Sequence, residues 1–120
     1  MNSEVFKPDG TKIEYDVGTT MSDGVRLSSD IYFPSKNQPG PYPTILYRTP
    51  YSNQMDYLVE RGKYLSQNGY VVVCQDVRGR HDSGGEFIRW KHEFNDGNET
   101  IEWIGSQEWC DGNVGMAGPS

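Results

Sequence analysis

One serine near the end of the sequence has the surroundings of a nucleophile. A short apolar run over residues 114–117 leads into Gly118-Pro119-Ser120. A serine hydroxyl can attack an acyl group when a nearby base takes its proton. A Gly-x-Ser spacing arises about once by chance in a chain with this many glycines and serines, so the spacing alone proves little. We interpret Ser120 as a candidate nucleophile at the tip of a strand. The alternative is an ordinary surface turn, and the elements that precede Ser120 must distinguish the two.

The two histidines do not point to a separate site. His81 and His92 both precede Ser120, and either could act as its base in an unrelated arrangement. Asp82 follows His81, but no second pair of ligands stands at the spacing that zinc sites use. We therefore predict neither a metal ion nor a cofactor.

Hydrophobic patterning predicts the elements that position Ser120. Lys12–Thr20 and residues 25–33 are moderately alternating runs joined by Ser22-Asp23-Gly24, which predicts an antiparallel hairpin. Residues 70–74 are apolar and β-branched without alternation, as expected of a parallel strand covered on both faces. The remaining predicted elements are a polar lead-in over 1–12, strands over 44–47 and 114–117, a helix over 56–68, and a helix opened by an Asp96-x-x-Glu99 capping box.

This order of elements predicts an α/β fold, with an N-terminal antiparallel hairpin followed by parallel strands and crossover helices. Two consecutive strand-helix-strand units imply right-handed crossovers and a parallel sheet. In such sheets the active site lies beyond the carboxyl ends of the strands. Tyr51, residues 76–80 and Ser120 all follow such ends, so the surrounding elements favour a catalytic serine.

Composition narrows the class of protein. The net charge is −6 at pH 7 with scattered Lys and Arg, which argues against nucleic acid or an anionic membrane as partner. No apolar run approaches membrane-spanning length and no signal-peptide pattern is present, so we expect a soluble, cytoplasmic protein. Apolar residues make up 34%, below the usual share of a complete domain. We expect residues 1–120 to be part of a larger domain.

Four segments stand in a specific order and spacing. They are Tyr47-Arg48-Thr49-Pro50-Tyr51, then Gln75-Asp76-Val77-Arg78-Gly79-Arg80 with Ser83-Gly84-Gly85, then Trp109-Cys110-Asp111-Gly112-Asn113-Val114-Gly115-Met116, and Gly118-x-Ser120. Together they resemble the N-terminal part of the α/β-hydrolases grouped with cocaine esterase, X-Pro dipeptidyl-peptidase and α-amino-acid ester hydrolase (S15-type, CocE/NonD). The resemblance runs from about Val17 to Ser120. It implies that residues 1–120 are an incomplete portion of a catalytic domain, without the rest of that domain, the cap or any C-terminal domain.

The resemblance implies acyl transfer through a serine. In that fold the nucleophile sits on a sharp strand-to-helix turn, the position that Ser120 occupies. The triad acid and histidine follow the serine in chain order, so we expect both beyond Ser120. Related enzymes use a tyrosine hydroxyl as an oxyanion donor at the position of Tyr51, although Tyr51 could instead simply pack against its loop. We expect Asp76 and Arg78 to hold a loop near the site by charge-assisted hydrogen bonds rather than to act in catalysis.

These expectations describe a serine hydrolase that cleaves an ester or amide acyl bond in a small molecule or peptide. The alternatives are an X-Pro dipeptidyl-peptidase-type aminopeptidase and a catalytically inactive truncated or scaffold chain. The 120 residues alone are expected to be inactive, because the base and the acid are not among them. One side of the sheet would be partly bare, so a homo-oligomer or another partner would cover its edge in an ordered chain.

Overall fold

The computed structural model describes residues 3–80, 83–85 and 93–117. In this part of the chain, strands dominate the first half and alternate with helices in the second. The elements are β1 (Ser3–Phe6), β2 (Lys12–Thr20), β3 (Arg26–Phe33), β4 (Tyr42–Thr49), α1 (Asp56–Gln67), β5 (Val71–Asp76), α2 (Glu93–Gly105) and β6 (Cys110–Ala117).

The strands form one mixed sheet in the order β1-β2-β3-β5-β4-β6. Strand β4 pairs in parallel with β5 on one side and with β6 on the other, and the remaining neighbours are antiparallel. The predicted hairpin is present as β2 and β3, and Gly24 in its turn has a φ of 90°, which only glycine adopts easily. The predicted α/β arrangement of a hairpin followed by parallel strands and crossover helices is confirmed.

The two helices cover opposite faces of the sheet. Alternate residues of β5 therefore enter two separate cores, with Val72 and Cys74 facing α1 and Val71 and Val73 facing α2. Every residue of β5 is buried, which confirms the prediction of a strand covered on both faces. The first core contains Ile13, Tyr32, Tyr47, Leu58, Leu65, Val72 and Cys74, and the second contains Ile31, Phe33, Leu46, Val71, Val73, Ile104 and Cys110.

Helix α1 follows the predicted 56–68 pattern to within a residue. Leu58 and Leu65 are buried on its inner face, whereas Tyr57 and Tyr64 are exposed on its outer face. The helix stops before Gly69, whose φ of 93° is the left-handed conformation that ends helices at glycine.

Four elements differ from the sequence prediction. Helix α2 begins at Glu93, so the capping box expected at Asp96 and Glu99 is wrong. The Asp96 carboxylate lies inside the helix and accepts hydrogen bonds from Arg78, while Glu99 accepts the backbone N–H of Ser22 at 2.7 Å. Strands β4 and β6 are longer than predicted, and the expected lead-in contains the exposed edge strand β1.

Gly62, in the middle of α1, packs so closely against Tyr32 that the effect of adding a methyl group can be tested. A methyl group at Gly62 would lie 2.7 Å from the ring of Tyr32, which is 2% exposed and cannot move aside easily. The overpacking penalty is about 1–3 kcal/mol, larger than the roughly 1 kcal/mol that alanine gains from helix propensity. We expect Gly62→Ala to lower the free energy of unfolding, measured by urea denaturation of the purified protein.

Gly97 in α2 provides the matched control for this substitution. A methyl group there would lie 3.8 Å from the Arg48 side chain, an ordinary van der Waals distance. Gly97→Ala should therefore leave stability unchanged or raise it by up to about 1 kcal/mol. Equal stabilisation by both substitutions would contradict the packing argument for α1.

Candidate active site at the carboxyl ends of the parallel strands

The parallel strands end at one edge of the sheet. Thr49 at the end of β4 is level with Asp76 at the end of β5, and Ala117 at the end of β6 is level with Tyr47. Ser120 lies three residues beyond Ala117, outside the described residues, so its assignment as nucleophile stays a prediction. The histidines at positions 81 and 92 also fall outside the described residues.

Tyr51 lies at this edge, in the loop between β4 and α1. Its side chain is 66% exposed, and its hydroxyl makes no hydrogen bond to any residue in the described ranges. The backbone, in contrast, is held, because the N–H of Tyr51 donates to Oγ1 of the buried Thr49 at 3.0 Å. The loop therefore presents a tyrosine hydroxyl that is open to a ligand at a fixed backbone position.

Asp76 anchors the loop that carries Tyr51. Its carboxylate is fully buried, and Oδ1 accepts the backbone N–H of Asn53 at 2.8 Å. The side-chain amide of Asn53 in turn donates to the carbonyl of Cys74 at 3.2 Å. A hydrogen bond to a buried carboxylate is stronger than a neutral one, so the loop is tied firmly to the end of β5.

A second buried carboxylate, Asp30 of β3, holds the same loop. It is 4% exposed, and its Oδ2 accepts a hydrogen bond from Nε2 of Gln54. Its Oδ1 accepts the backbone N–H of Asp16 at 3.1 Å, where β2 departs from regular pairing. Sequence reasoning missed Asp30, Asn53 and Gln54. The sequence signal for Asp30 was a charged residue inside a predicted strand. The signal for Asn53 and Gln54 was the polar run between Tyr51 and the helix.

The nearby thiol of Cys74 is not a candidate nucleophile. Burial raises its pKa, and the negative charges of Asp30 and Asp76 raise it further. The thiol therefore stays protonated at neutral pH, whereas reactive cysteines need a partly exposed, electropositive environment.

Arg78 joins three elements just after β5. Its Nε and Nη2 donate to the two carboxylate oxygens of Asp96 in α2, each at 2.9 Å. Its Nη1 and Nη2 also donate to Asp23, in the turn between β2 and β3, at 2.8 and 3.3 Å. These hydrogen bonds raise the pKa of Arg78, chiefly through Asp96, and the bond from Arg78 lowers the pKa of Asp23. The charged guanidinium of Arg78 therefore holds α2 and the turn between β2 and β3 against the loop after β5.

Further polar groups at this edge are hydrogen-bonded to one another. Nε of Arg48 donates to Oε1 of Gln75 at 2.7 Å, and Nε2 of Gln75 donates to Oγ1 of Thr100 at 3.0 Å. Oγ of Ser83 donates to the carbonyl of Asp76 at 2.5 Å and accepts the backbone N–H of Ser28 at 2.8 Å. The first chain of bonds links β4 and β5 to α2, and the second links the loop after β5 to β3.

The described residues include no cluster of three or more histidine, cysteine, aspartate or glutamate side chains that could hold a metal ion. Among them there is also no helix long and apolar enough to cross a membrane.

The two carboxylates on Arg78 should differ in their effect on stability. The Asp96 side chain is 2% exposed, so Asp96→Ala leaves a largely buried guanidinium without its main partner and should cost about 3 kcal/mol. The Asp23 side chain is 50% exposed, so Asp23→Ala should cost clearly less, because solvent replaces the lost contact. Urea denaturation of the two variants tests this, and equal losses would contradict it.

Comparison with known proteins identifies the family. Residues 23–120 match the family model described as X-Pro dipeptidyl-peptidase (S15 family). Cocaine esterase from Rhodococcus sp. (strain MB1 Bresler) is 42% identical over 104 residues, which cover 83% of this chain and 18% of that protein. The chain thus spans about a fifth of the length of this relative.

Solved structures agree with this match. A CocE/NonD family hydrolase from Staphylococcus aureus superposes with a TM-score of 0.77 at 27% identity, covering 88% of this chain and 22% of that chain. An α-amino-acid ester hydrolase superposes with a TM-score of 0.71 at 26% identity, covering 93% of this chain and 22% of that chain. The chain therefore belongs to the X-Pro dipeptidyl-peptidase (S15) family and has the partial α/β-hydrolase fold of the CocE/NonD hydrolases.

Proposed function

We propose that these 120 residues are the N-terminal portion of the catalytic domain of a serine hydrolase that cleaves ester or amide acyl bonds. Ser120 is the nucleophile and Tyr51 an oxyanion donor. The observation that carries the proposal is that three parallel strands end at one edge of the sheet, where the exposed side chain of Tyr51 also lies. The family to which the chain belongs, and cocaine esterase among its relatives, support a hydrolase. The substrate is a small molecule or a peptide with an accessible acyl group.

The proposed reaction begins at the hydroxyl of Ser120. Its oxygen attacks the acyl carbon of the substrate while a histidine takes the hydroxyl proton, and the histidine is oriented by an acid. The tetrahedral intermediate collapses, the bond to the leaving group breaks, and the leaving alcohol or amine receives that proton. Water then attacks the acyl-enzyme by the same route and releases the carboxylic acid. On this proposal the histidine and the acid follow Ser120 in the full-length protein, and the 120 residues alone do not turn over substrate.

Tyr51 is proposed to act on the negative charge of the intermediate. During attack, the carbonyl oxygen becomes an oxyanion, and a fixed donor lowers the barrier because it binds this charge better than the neutral carbonyl. The exposed hydroxyl of Tyr51, which makes no hydrogen bond to another described residue, is available for this role. Asp76 and Arg78 are proposed to support the surrounding loops and to make no contact with substrate.

The Tyr51 role predicts a defect in turnover. In the full-length enzyme, Tyr51→Phe should lower kcat about a hundredfold or more, because one oxyanion donor is lost, with a small change in KM. Hydrolysis of p-nitrophenyl acetate measures both constants, and Ser120→Ala gives the background rate without the nucleophile.

Tyr64 offers a matched control. It is a second exposed tyrosine, on the outer face of α1, and Tyr64→Phe removes the same hydroxyl group away from the proposed site. It should leave kcat unchanged. If Tyr51→Phe kept its full turnover as well, Tyr51 would have no part in the oxyanion site.

A second candidate function is favoured by the family model, whose description names X-Pro dipeptidyl-peptidases. An aminopeptidase of that type would cleave an amide after proline near the amino terminus of a peptide. Both candidates use the same serine chemistry and differ in the acyl group and leaving group that they accept. The greater weight goes to an esterase, because cocaine esterase is 42% identical to this chain.

The two candidates predict opposite substrate preferences. An esterase should give a far higher kcat/KM for p-nitrophenyl acetate than for glycyl-proline p-nitroanilide, and a dipeptidyl-peptidase should show the reverse. Both assays release a chromophore and can be run on one preparation of the full-length enzyme. Fluorophosphonate labelling that is lost in Ser120→Ala ties either activity to this serine, and activity towards neither substrate would favour the catalytically inactive alternative.

A further inference from the structure

The loop that carries Tyr51 is held on both sides of the tyrosine. On the amino-terminal side, the backbone N–H of Tyr51 donates a hydrogen bond to Thr49. On the carboxyl-terminal side, Asn53 donates to Asp76 and Gln54 donates to Asp30. The Tyr51 side chain itself has no such restraint among the described residues, since it is 66% exposed. The position of its hydroxyl therefore depends on the conformation of the loop backbone.

The two anchors after Tyr51 come from different strands. Asp76 ends β5 and Asp30 lies within β3, and the two strands are hydrogen-bonded neighbours. Asp30 is opposite Cys74 in this pairing and is itself held by the backbone of Asp16. Each carboxylate is thus a rigid support, and together they hold consecutive residues of the loop from two directions.

Gln54 is the anchor that can be changed without damage to the core. Its side chain is exposed, whereas Asp76, Asp30 and Asn53 are buried, and the bond from Asn53 to Asp76 uses a backbone N–H that only proline would remove. We propose that Gln54 is a positioning residue for Tyr51, which acts through its hydrogen bond to Asp30. The inference rests on the proposed oxyanion role of Tyr51.

The physical reason lies in the geometry of oxyanion stabilisation. A donor is effective only when its hydrogen bond reaches the position of the oxyanion, and a displacement of about 1 Å can cost up to a hundredfold in rate. Loss of the Gln54 bond releases the loop on the side that faces α1 and leaves the contacts at Thr49 and Asp76 in place. The expected defect is therefore smaller than the loss of the hydroxyl itself.

Gln54→Met removes the amide donor and keeps a side chain of similar length. In the full-length enzyme, we expect it to lower kcat for p-nitrophenyl acetate about tenfold with KM changed less than about twofold. Gln54→Lys, which offers Asp30 a charged donor, should restore kcat to within about threefold of the wild type. The matched control is Gln67→Met, because Gln67 is also exposed and donates to a carboxylate, Asp9, at the opposite end of α1. It should leave kcat unchanged.

A double-mutant cycle separates positioning from a general structural effect. If Gln54 acts through Tyr51, Gln54→Met should lower kcat in the wild-type background and have no further effect in Tyr51→Phe. Equal losses in both backgrounds, or full activity of Gln54→Met beside an impaired Tyr51→Phe, would overturn this inference alone. Full activity of Tyr51→Phe would overturn the proposed role of Tyr51 and this inference with it.

Discussion

The complete burial of β5 constrains the rest of the structure. All residues of this strand are buried, including the polar residues Gln75 and Asp76 at its carboxyl end. A buried polar group without a partner costs about 1–3 kcal/mol, so these two side chains must find hydrogen bonds inside the protein. Gln75 does so with Arg48 of β4 and Thr100 of α2, and Asp76 with the loop before α1. The same burial that stabilises the sheet thus selects the conformations of the segments at its carboxyl edge.

The antiparallel half of the sheet supports this edge from the other side. Asp23, in the turn between β2 and β3, binds Arg78, and Asp30 of β3 binds Gln54. The backbone of Ser28 donates to Ser83 in the loop after β5. Each of these contacts joins a residue of the hairpin to a loop that follows a parallel strand. The hairpin is therefore part of the framework of the candidate site, although none of its residues is proposed to touch substrate.

The sequence predicted the parts of the fold that burial dictates and missed those that depend on long-range polar contacts. The unbroken apolar run of β5 and the periodicity of α1 predicted both elements closely. The predicted start of α2 was wrong because Asp96, whose residue type is typical of a helix cap, instead accepts a hydrogen bond from Arg78, 18 residues earlier in the chain. Strand β1 gave no signal because it is exposed and held mainly by backbone pairing. The bond between Gln54 and Asp30 spans 24 residues, and no local pattern predicts such a pairing.

The pairing of β4 with β6 links the two segments that carry the proposed oxyanion donor and the proposed nucleophile. Tyr47 and Ala117 are partners in the parallel ladder, and neighbouring strands lie about 4.8 Å apart. Tyr51 follows Tyr47 by four residues and Ser120 follows Ala117 by three, so in the sequence the proposed oxyanion donor and nucleophile come after the ends of adjacent strands. The register of this strand pair and the supports of the Tyr51 loop therefore set the position of the proposed oxyanion donor relative to the end of β6. On the proposed mechanism, the nucleophile and one oxyanion donor are set within these 120 residues, and the base and the acid are added to a framework that already exists.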